Sequence, residues 1–169
     1  MKKTLFLALC LIALSPISLM AESVSATDSR VTFVGRAIVE DGAVRFDWPS
    51  TYFRVAFTGK SLSMRVSDTQ RNYYGVWIDT PTSAQPTRIV EVKGNDTIVE
   101  LVVPADVKKS KLKEHQVVIQ KRTEAGCGTT TVYEFITDGK IIPAVPFKER
   151  QIEFVGDSYT CGYGVDAPS

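Results

Sequence analysis

The feature that most constrains the fold is a period-two alternation of apolar and polar residues that recurs between residues 31 and 145. Phe53, Val55 and Phe57 alternate with Tyr52, Arg54 and Ala56, and Leu62, Met64 and Val66 alternate with Ser61, Ser63, Arg65 and Ser67. Successive side chains of an extended chain point to opposite faces, so the pattern describes strands with one face buried and one in water. Val31–Val39, Ala43–Trp48, Tyr73–Asp79, Arg88–Val92, Thr97–Val103, Gln116–Arg122 and Thr131–Ile136 read as further strands. Asp41-Gly42, Thr58-Gly59-Lys60, Gly94-Asn95-Asp96 and Asp138-Gly139 supply the turns that separate them. No window in this span carries the 3.6-residue stripe of an amphipathic helix, and there is no internal repeat. Short, regularly spaced strands predict a mainly β domain over 31–145, an antiparallel β-sandwich of the jelly-roll kind. The chain has 169 residues, 44% of them hydrophobic, which is enough for one core of ordinary size.

The flanks read differently. Residues 1–21 have the layout of a signal peptide: basic Lys2-Lys3, an apolar run from Leu5 to Leu14, then a breaker and a small residue between Ser15 and Ala21. Cleavage is expected after Ala21, with Val24-Ser25-Ala26 as the second choice. The apolar run is too short to favour a spanning helix. The processed protein is therefore expected to be exported, periplasmic or extracellular, with no membrane contact. Leu7-Ala8-Leu9-Cys10 has the outline of a lipoprotein box, but Leu9 is a poor fit before the cysteine and the apolar run continues past it. Polar residues 22–30 read as a linker. Pro143, Pro146 and Lys148-Glu149-Arg150 place a connector over 146–150, because proline cannot continue a strand ladder. A net charge of +1 gives no electrostatic basis for a nucleic acid or anionic membrane partner.

Chemistry concentrates in 151–169. Gln151-Ile152-Glu153-Phe154-Val155 reads as a short buried strand that stops at Gly156 and gives way to Asp157-Ser158-Tyr159-Thr160-Cys161-Gly162. A serine between a strand end and a helix start presents its hydroxyl at the rim of a sheet. Its backbone N–H faces the same way, since the first N–H groups of a helix have no internal partner. That arrangement suits a nucleophile carrying its own oxyanion donor. A plain helix N-cap is the alternative role for Ser158. The run is not a Gly-x-Ser-x-Gly elbow, because Thr160 stands at the second glycine. Asp157 is read as tying down local backbone N–H groups rather than as a triad acid. Gly156 and Gly162 let the backbone turn sharply, and Cys161 packs beneath the turn.

Gly156-Asp157-Ser158 after Ile152-Glu153-Phe154-Val155 resembles the first block of the SGNH (GDSL-type) hydrolases, with Tyr159 in place of the usual leucine. The longer run from Arg150 to Ser158, followed by Thr160-Cys161-Gly162-Tyr163-Gly164, is similar to the two-domain acetyl esterases of carbohydrate esterase family 2. Leu112 to Ala125 also resembles the end of that family's jelly roll. The resemblance implies a jelly roll followed by an α/β/α SGNH hydrolase domain, of which 151–169 would be the first strand and nucleophile turn. It further implies that Ser158 forms an acyl-enzyme while removing O-acetyl groups from acetylated polysaccharides or oligosaccharides of plant type, such as xylan or mannan. In SGNH hydrolases the histidine and the remaining oxyanion donors come from later blocks. The 169 residues are accordingly expected to be part of a longer chain and nearly inactive by themselves. Two other functions stay open: a non-catalytic carbohydrate-binding sandwich, and an SGNH esterase acting on a lipid or other non-plant acetyl ester.

The remaining candidates have quieter readings. His115, the sole histidine, sits at a strand start and is expected to be a surface or half-buried imidazole rather than the base. Cys127 and Cys161, left after signal removal, either pair as a disulfide or stay separate thiols. Two cysteines and one histidine are too few for a metal site, and no cofactor is expected. Trp77 with Tyr73 and Tyr74 forms either a sugar-stacking platform or ordinary core, and Trp48 is a candidate cleft wall. Lys108-Lys109-Ser110-Lys111-Leu112-Lys113 is either a solvated loop or a contact for anionic glycan. Asn95-Asp96-Thr97 matches a glycosylation sequon but reads as a turn.

Overall fold

The alternating stretches form ten strands in a computed structural model that describes residues 21–145 and 155–160. They are β1 (Glu22–Ser25), β2 (Thr32–Val34), β3 (Ile38–Glu40), β4 (Ala43–Phe46), β5 (Tyr52–Thr58), β6 (Leu62–Ile78), β7 (Arg88–Val102), β8 (Glu114–Lys121), β9 (Thr130–Thr137) and β10 (Ile141–Ile142). A single helical turn, α1 (Pro104–Val107), and a 3-10 turn at Ala125–Cys127 interrupt them. Every strand pairing is antiparallel. The mainly β, antiparallel architecture is the one that the alternation predicts.

Three boundaries depart from the sequence reading. Residues 22–30, expected as a linker, begin with β1, which pairs with β9 from Glu22–Thr137 to Ser25–Glu134. The stretch Val31–Val39 splits into β2 and β3 after Gly35, whose φ of +134° turns the chain. Most consequentially, Gly94-Asn95-Asp96 is not a turn between two strands. It lies inside one 15-residue β7 that runs beside the 17-residue β6. Gly94 (φ +83°) and Asp96 (φ +51°) take left-handed backbone where the register slips between Val66 and Arg71. The positive φ that suggests a hairpin turn therefore serves a β-bulge.

That long ribbon organises the topology. Seventeen residues of strand span on the order of 55 Å at about 3.3 Å each, too far for one layer of a small domain. The first half of β6, Leu62 to Asp68, pairs with β9, and the second half, Tyr74 to Ile78, pairs with β8. One layer continues from β8 to β5, whose far edge carries β2 and β10. The other continues from β9 to β4 and β3, and β9 also carries β1. The sandwich is thus a single hydrogen-bonded sheet curled over on itself. Asp41 (φ +50°) and Gly42 (φ +78°) close the β3–β4 hairpin with the two left-handed residues that match strand twist.

The layers meet through aromatic rings. Phe53 of β5 lies 5.4 Å, centroid to centroid, from Phe135 of β9 and 5.9 Å from Phe46 of β4. Phe33 completes the cluster at 5.3 Å from Phe53. The inward side chains of β6, Leu62, Met64, Val66, Tyr74 and Val76, are wholly or almost wholly buried around it.

At the bend of β6 the inward positions turn polar, and each polar group is matched. Asp68 Oδ2 accepts hydrogen bonds from Asn72 Nδ2 (2.8 Å) and Thr130 Oγ1 (2.5 Å), and Tyr74 donates its hydroxyl to Thr130 Oγ1 (2.7 Å). Asn72 Nδ2 also reaches the Gly128 carbonyl at 3.1 Å, while its Oδ1 accepts from Thr123 Oγ1. Lys121, 1% exposed, donates its ammonium to the carbonyls of Thr123 and Glu124 at 2.6 and 3.1 Å. Burial holds its pKa below the ordinary lysine range, against the pull of Cys127, Asp68, Asp47 and Glu124.

A second polar knot ties the two ends of the domain. Arg30 pairs with Glu22 (2.9 Å) and Asp28 (2.8 Å) and donates to the Ile141 carbonyl (3.0 Å), while Glu22 accepts the Ile141 N–H. The Arg30 side chain and then its backbone N–H hold the Asp28 carboxyl down at about 2. Glu22 is lowered by Arg30 and by the Ile141 N–H.

Two outcomes are expected. Phe53→Ala leaves a void at the meeting point of the layers and should cost about 3–5 kcal/mol in urea unfolding, whereas a loss below about 1 kcal/mol would contradict the aromatic cluster's role. For the knot, both carboxylates titrate lower folded than unfolded. Their contribution is therefore present above about pH 4 and lost as pH falls towards 2. Asp28→Asn should flatten the fall in melting temperature across that window, and an unchanged slope would contradict the linkage.

Candidate active site

The described part of the segment expected to carry the nucleophile is Val155 to Thr160. Gly156 and Asp157 are extended or irregular, and Ser158-Tyr159-Thr160 form a turn. Asp157 builds that turn: its Oδ1 accepts the backbone N–H groups of Tyr159 (3.0 Å) and Thr160 (3.4 Å). The carboxylate does locally what an Asx turn does, and it leaves the serine at the apex. Space explains Gly156. A Cβ there would lie 2.6 Å from Thr160 Cβ and closer still to Thr160 Oγ1, so a side chain at 156 would push the turn open. Val155 and Tyr159 are both 93% exposed. The buried strand read over Gln151–Val155 is therefore not seen at its one described residue, and no described strand pairs with Val155. Residues 151–154, Cys161 and Gly162 lie outside the described residues, as do residues 1–20 of the signal peptide expected over 1–21 and the connector expected over 146–150.

Among the described residues Cys127, half-buried on the 3-10 turn, has no disulfide partner. His115 is not the surface or half-buried imidazole expected from its place at a strand start. It is 3% exposed, its ring lies 5.5 Å from that of Phe57, and its Nδ1 lies 2.6 Å from Asp79 Oδ2. Asp79 is a partner that sequence reasoning missed. It ends β6 with a positive φ of 54°, and its other oxygen accepts the Gln116 N–H at 2.8 Å. Aspartate tolerates left-handed backbone better than most residues, but nothing in the local sequence links position 79 to position 115.

The aromatic platform does not form. Trp77 is 6% exposed with its Nε1 donating to the Ala84 carbonyl, and Tyr74 is part of the core. Only Tyr73, at 38%, remains open. Trp48 is 49% exposed, with the Arg36 guanidinium 5.3 Å from its ring centroid. In the sequon, the Asn95 side chain accepts from Ser67 Oγ and Asp96 is paired with Arg65, all within the β6–β7 bulge.

A curled antiparallel sheet followed by a Gly-Asp-Ser turn defines the class, a β-domain placed ahead of a serine at a tight turn. Residues 33–146 match the family described as carbohydrate esterase 2 N-terminal. The chain belongs to carbohydrate esterase family 2. It is 34% identical over 161 residues to an acetylxylan esterase / glucomannan deacetylase of Cellvibrio japonicus, covering 89% of this chain and 41% of that protein. Among solved structures, a family two carbohydrate esterase from Cellvibrio japonicus superposes with a TM-score of 0.75 at 24% identity, over 89% of this chain and 43% of the other. A family two esterase from Clostridium thermocellum in complex with cellohexaose gives 0.66 at 28% identity, over 79% and 39%. The chain thus spans about two-fifths of the Cellvibrio relative.

Asp157→Ala removes the acceptor of two backbone N–H groups. Amide exchange at Tyr159 and Thr160, followed by NMR, should then speed up about fivefold, in keeping with roughly 1 kcal/mol for a lost hydrogen bond. Unchanged exchange would mean that the carboxylate does not hold the turn.

Proposed function

We propose that this chain is the N-terminal part of an exported serine esterase that removes O-acetyl groups from plant-type polysaccharides or oligosaccharides. The observation that carries the reading is family membership, across most of the β-domain, shared with a relative named for acetylxylan and glucomannan deacetylation. The Gly156-Asp157-Ser158 turn supplies the chemistry. Ser158 Oγ adds to the acetyl carbonyl, the Ser158 N–H donates to the oxyanion, and collapse expels the sugar hydroxyl and leaves an acetyl-serine. Water then releases acetate and restores the hydroxyl.

Both steps need a base to take and return a proton. His115 is the chain's one histidine, and its Nδ1 is held by Asp79 within the β-domain. The base is assigned instead to the part of the protein that would correspond to the remaining three-fifths of the Cellvibrio relative. Export rests on the layout of residues 1–21 and suits a polymer substrate outside the cytoplasm.

Acetate release from acetylated xylan and glucomannan tests the reading. The longer protein should turn over both, and Ser158→Ala should cost about 10⁴- to 10⁶-fold in kcat. The 169-residue chain alone should match buffer. Full activity in the Ser158→Ala protein would remove the nucleophile assignment.

A further inference from the structure

The esterase reading leaves the lysine-rich segment after α1 and the buried His115 without a task, and the structure brings them together. An open cavity of about 680 Å³ lies between the β5–β6 turn, α1 and the start of β8. Lys60, Lys108, Lys113 and His115 line it, with Pro104 and Leu112 on the apolar part of its wall, and no lining residue is acidic. None of the three lysines forms an ion pair among the described residues. The carboxylate beside Lys60, that of Asp138, is engaged by the backbone N–H groups of Lys60 and Ser61 at 2.8 and 2.9 Å.

His115 gives the cavity a fixed polar point. Its side chain is 4% exposed and held through Nδ1 by Asp79. Nε2 has no hydrogen-bond partner among the described residues, and no fully buried side-chain nitrogen or oxygen there lacks one. Nε2 therefore keeps a small exposed area, and His115 is one of the residues that line the cavity. An ionised carboxylate at Nδ1 accepts a hydrogen bond from the Nδ1–H, so in that neutral tautomer Nε2 is an acceptor that a donor such as a sugar hydroxyl can satisfy. The lysines require an anion, and Pro104 with Leu112 offers an apolar surface to the C–H face of a pyranose. One ligand carries all three features: a sugar with both a carboxylate and free hydroxyls.

We propose that this cavity binds a uronic acid residue of an acidic glycan, with its carboxylate among Lys60, Lys108 and Lys113 and a hydroxyl on His115 Nε2. The choice of a sugar carboxylate rests on the polysaccharide reading above. Inorganic phosphate satisfies the lysines but gives the imidazole no comparable set of hydroxyl donors.

Titration calorimetry tests the site without reading acetate release. The whole chain is titrated with a xylo-oligosaccharide bearing one glucuronate, its neutral counterpart of equal length, and inorganic phosphate. The acidic sugar should bind at least tenfold more tightly than either of the others. Its affinity should fall as sodium chloride is raised. Lys108→Ala/Lys113→Ala, both at exposed positions, should lose about tenfold or more while melting at the same temperature. Equal binding of the neutral sugar, equal binding of phosphate, an unaffected double variant, or no binding of the acidic sugar at millimolar concentration would each overturn the site. Acetate release by the longer protein, measured separately on neutral glucomannan, would stand or fall independently.

Discussion

The structure depends on one bent place in one strand. The ribbon of β6 and β7 belongs to both layers, so the sandwich closes only if β6 changes direction between Asp68 and Asn72. A bend leaves ladder groups unpaired, and here buried side chains replace the missing partners. Asp68, Asn72, Thr130 and Tyr74 form a connected set, extended by Thr123 to the loop that Lys121 anchors. In a low-dielectric interior such a set stabilises when every member is matched and is costly when one is lost. It also fixes direction, which an apolar contact does not.

Most of the β-domain was legible in the sequence because alternation is a local signal. What escaped was decided by partners far along the chain. Gly94-Asn95-Asp96 has turn chemistry, and only the continuous β6 opposite makes it a bulge. Glu22–Ser25 looks like a polar linker, and only the free edge of β9, more than a hundred residues later, makes it a strand. Trp77 stands at an outward position of β6, yet the 79–87 loop folds back over it and takes its N–H. His115 could not be placed because Asp79 is 36 residues away.

At the candidate active site the balance reverses. The short run from Gly156 to Thr160 carries its own explanation, since the glycine, the acceptor and both donors lie within five residues. A Gly-Asp-Ser turn is therefore readable where a triad is not. The partners of a catalytic serine come together through tertiary structure, and a motif can announce only the member that sits on it. The uronate cavity is the opposite case, assembled from a turn, a helical turn and a strand start that share no motif.

The knot of Glu22, Asp28 and Arg30 has an architectural consequence. Beyond gripping Ile141, the Arg30 carbonyl accepts the Ala144 N–H at 3.2 Å, so the chain comes in and goes out of the β-domain at one seam. A unit sealed in this way adds almost no span to whatever precedes or follows it. Such a unit can be spliced between neighbours, or opened at a distant hairpin and rejoined at the seam, as a self-contained cassette.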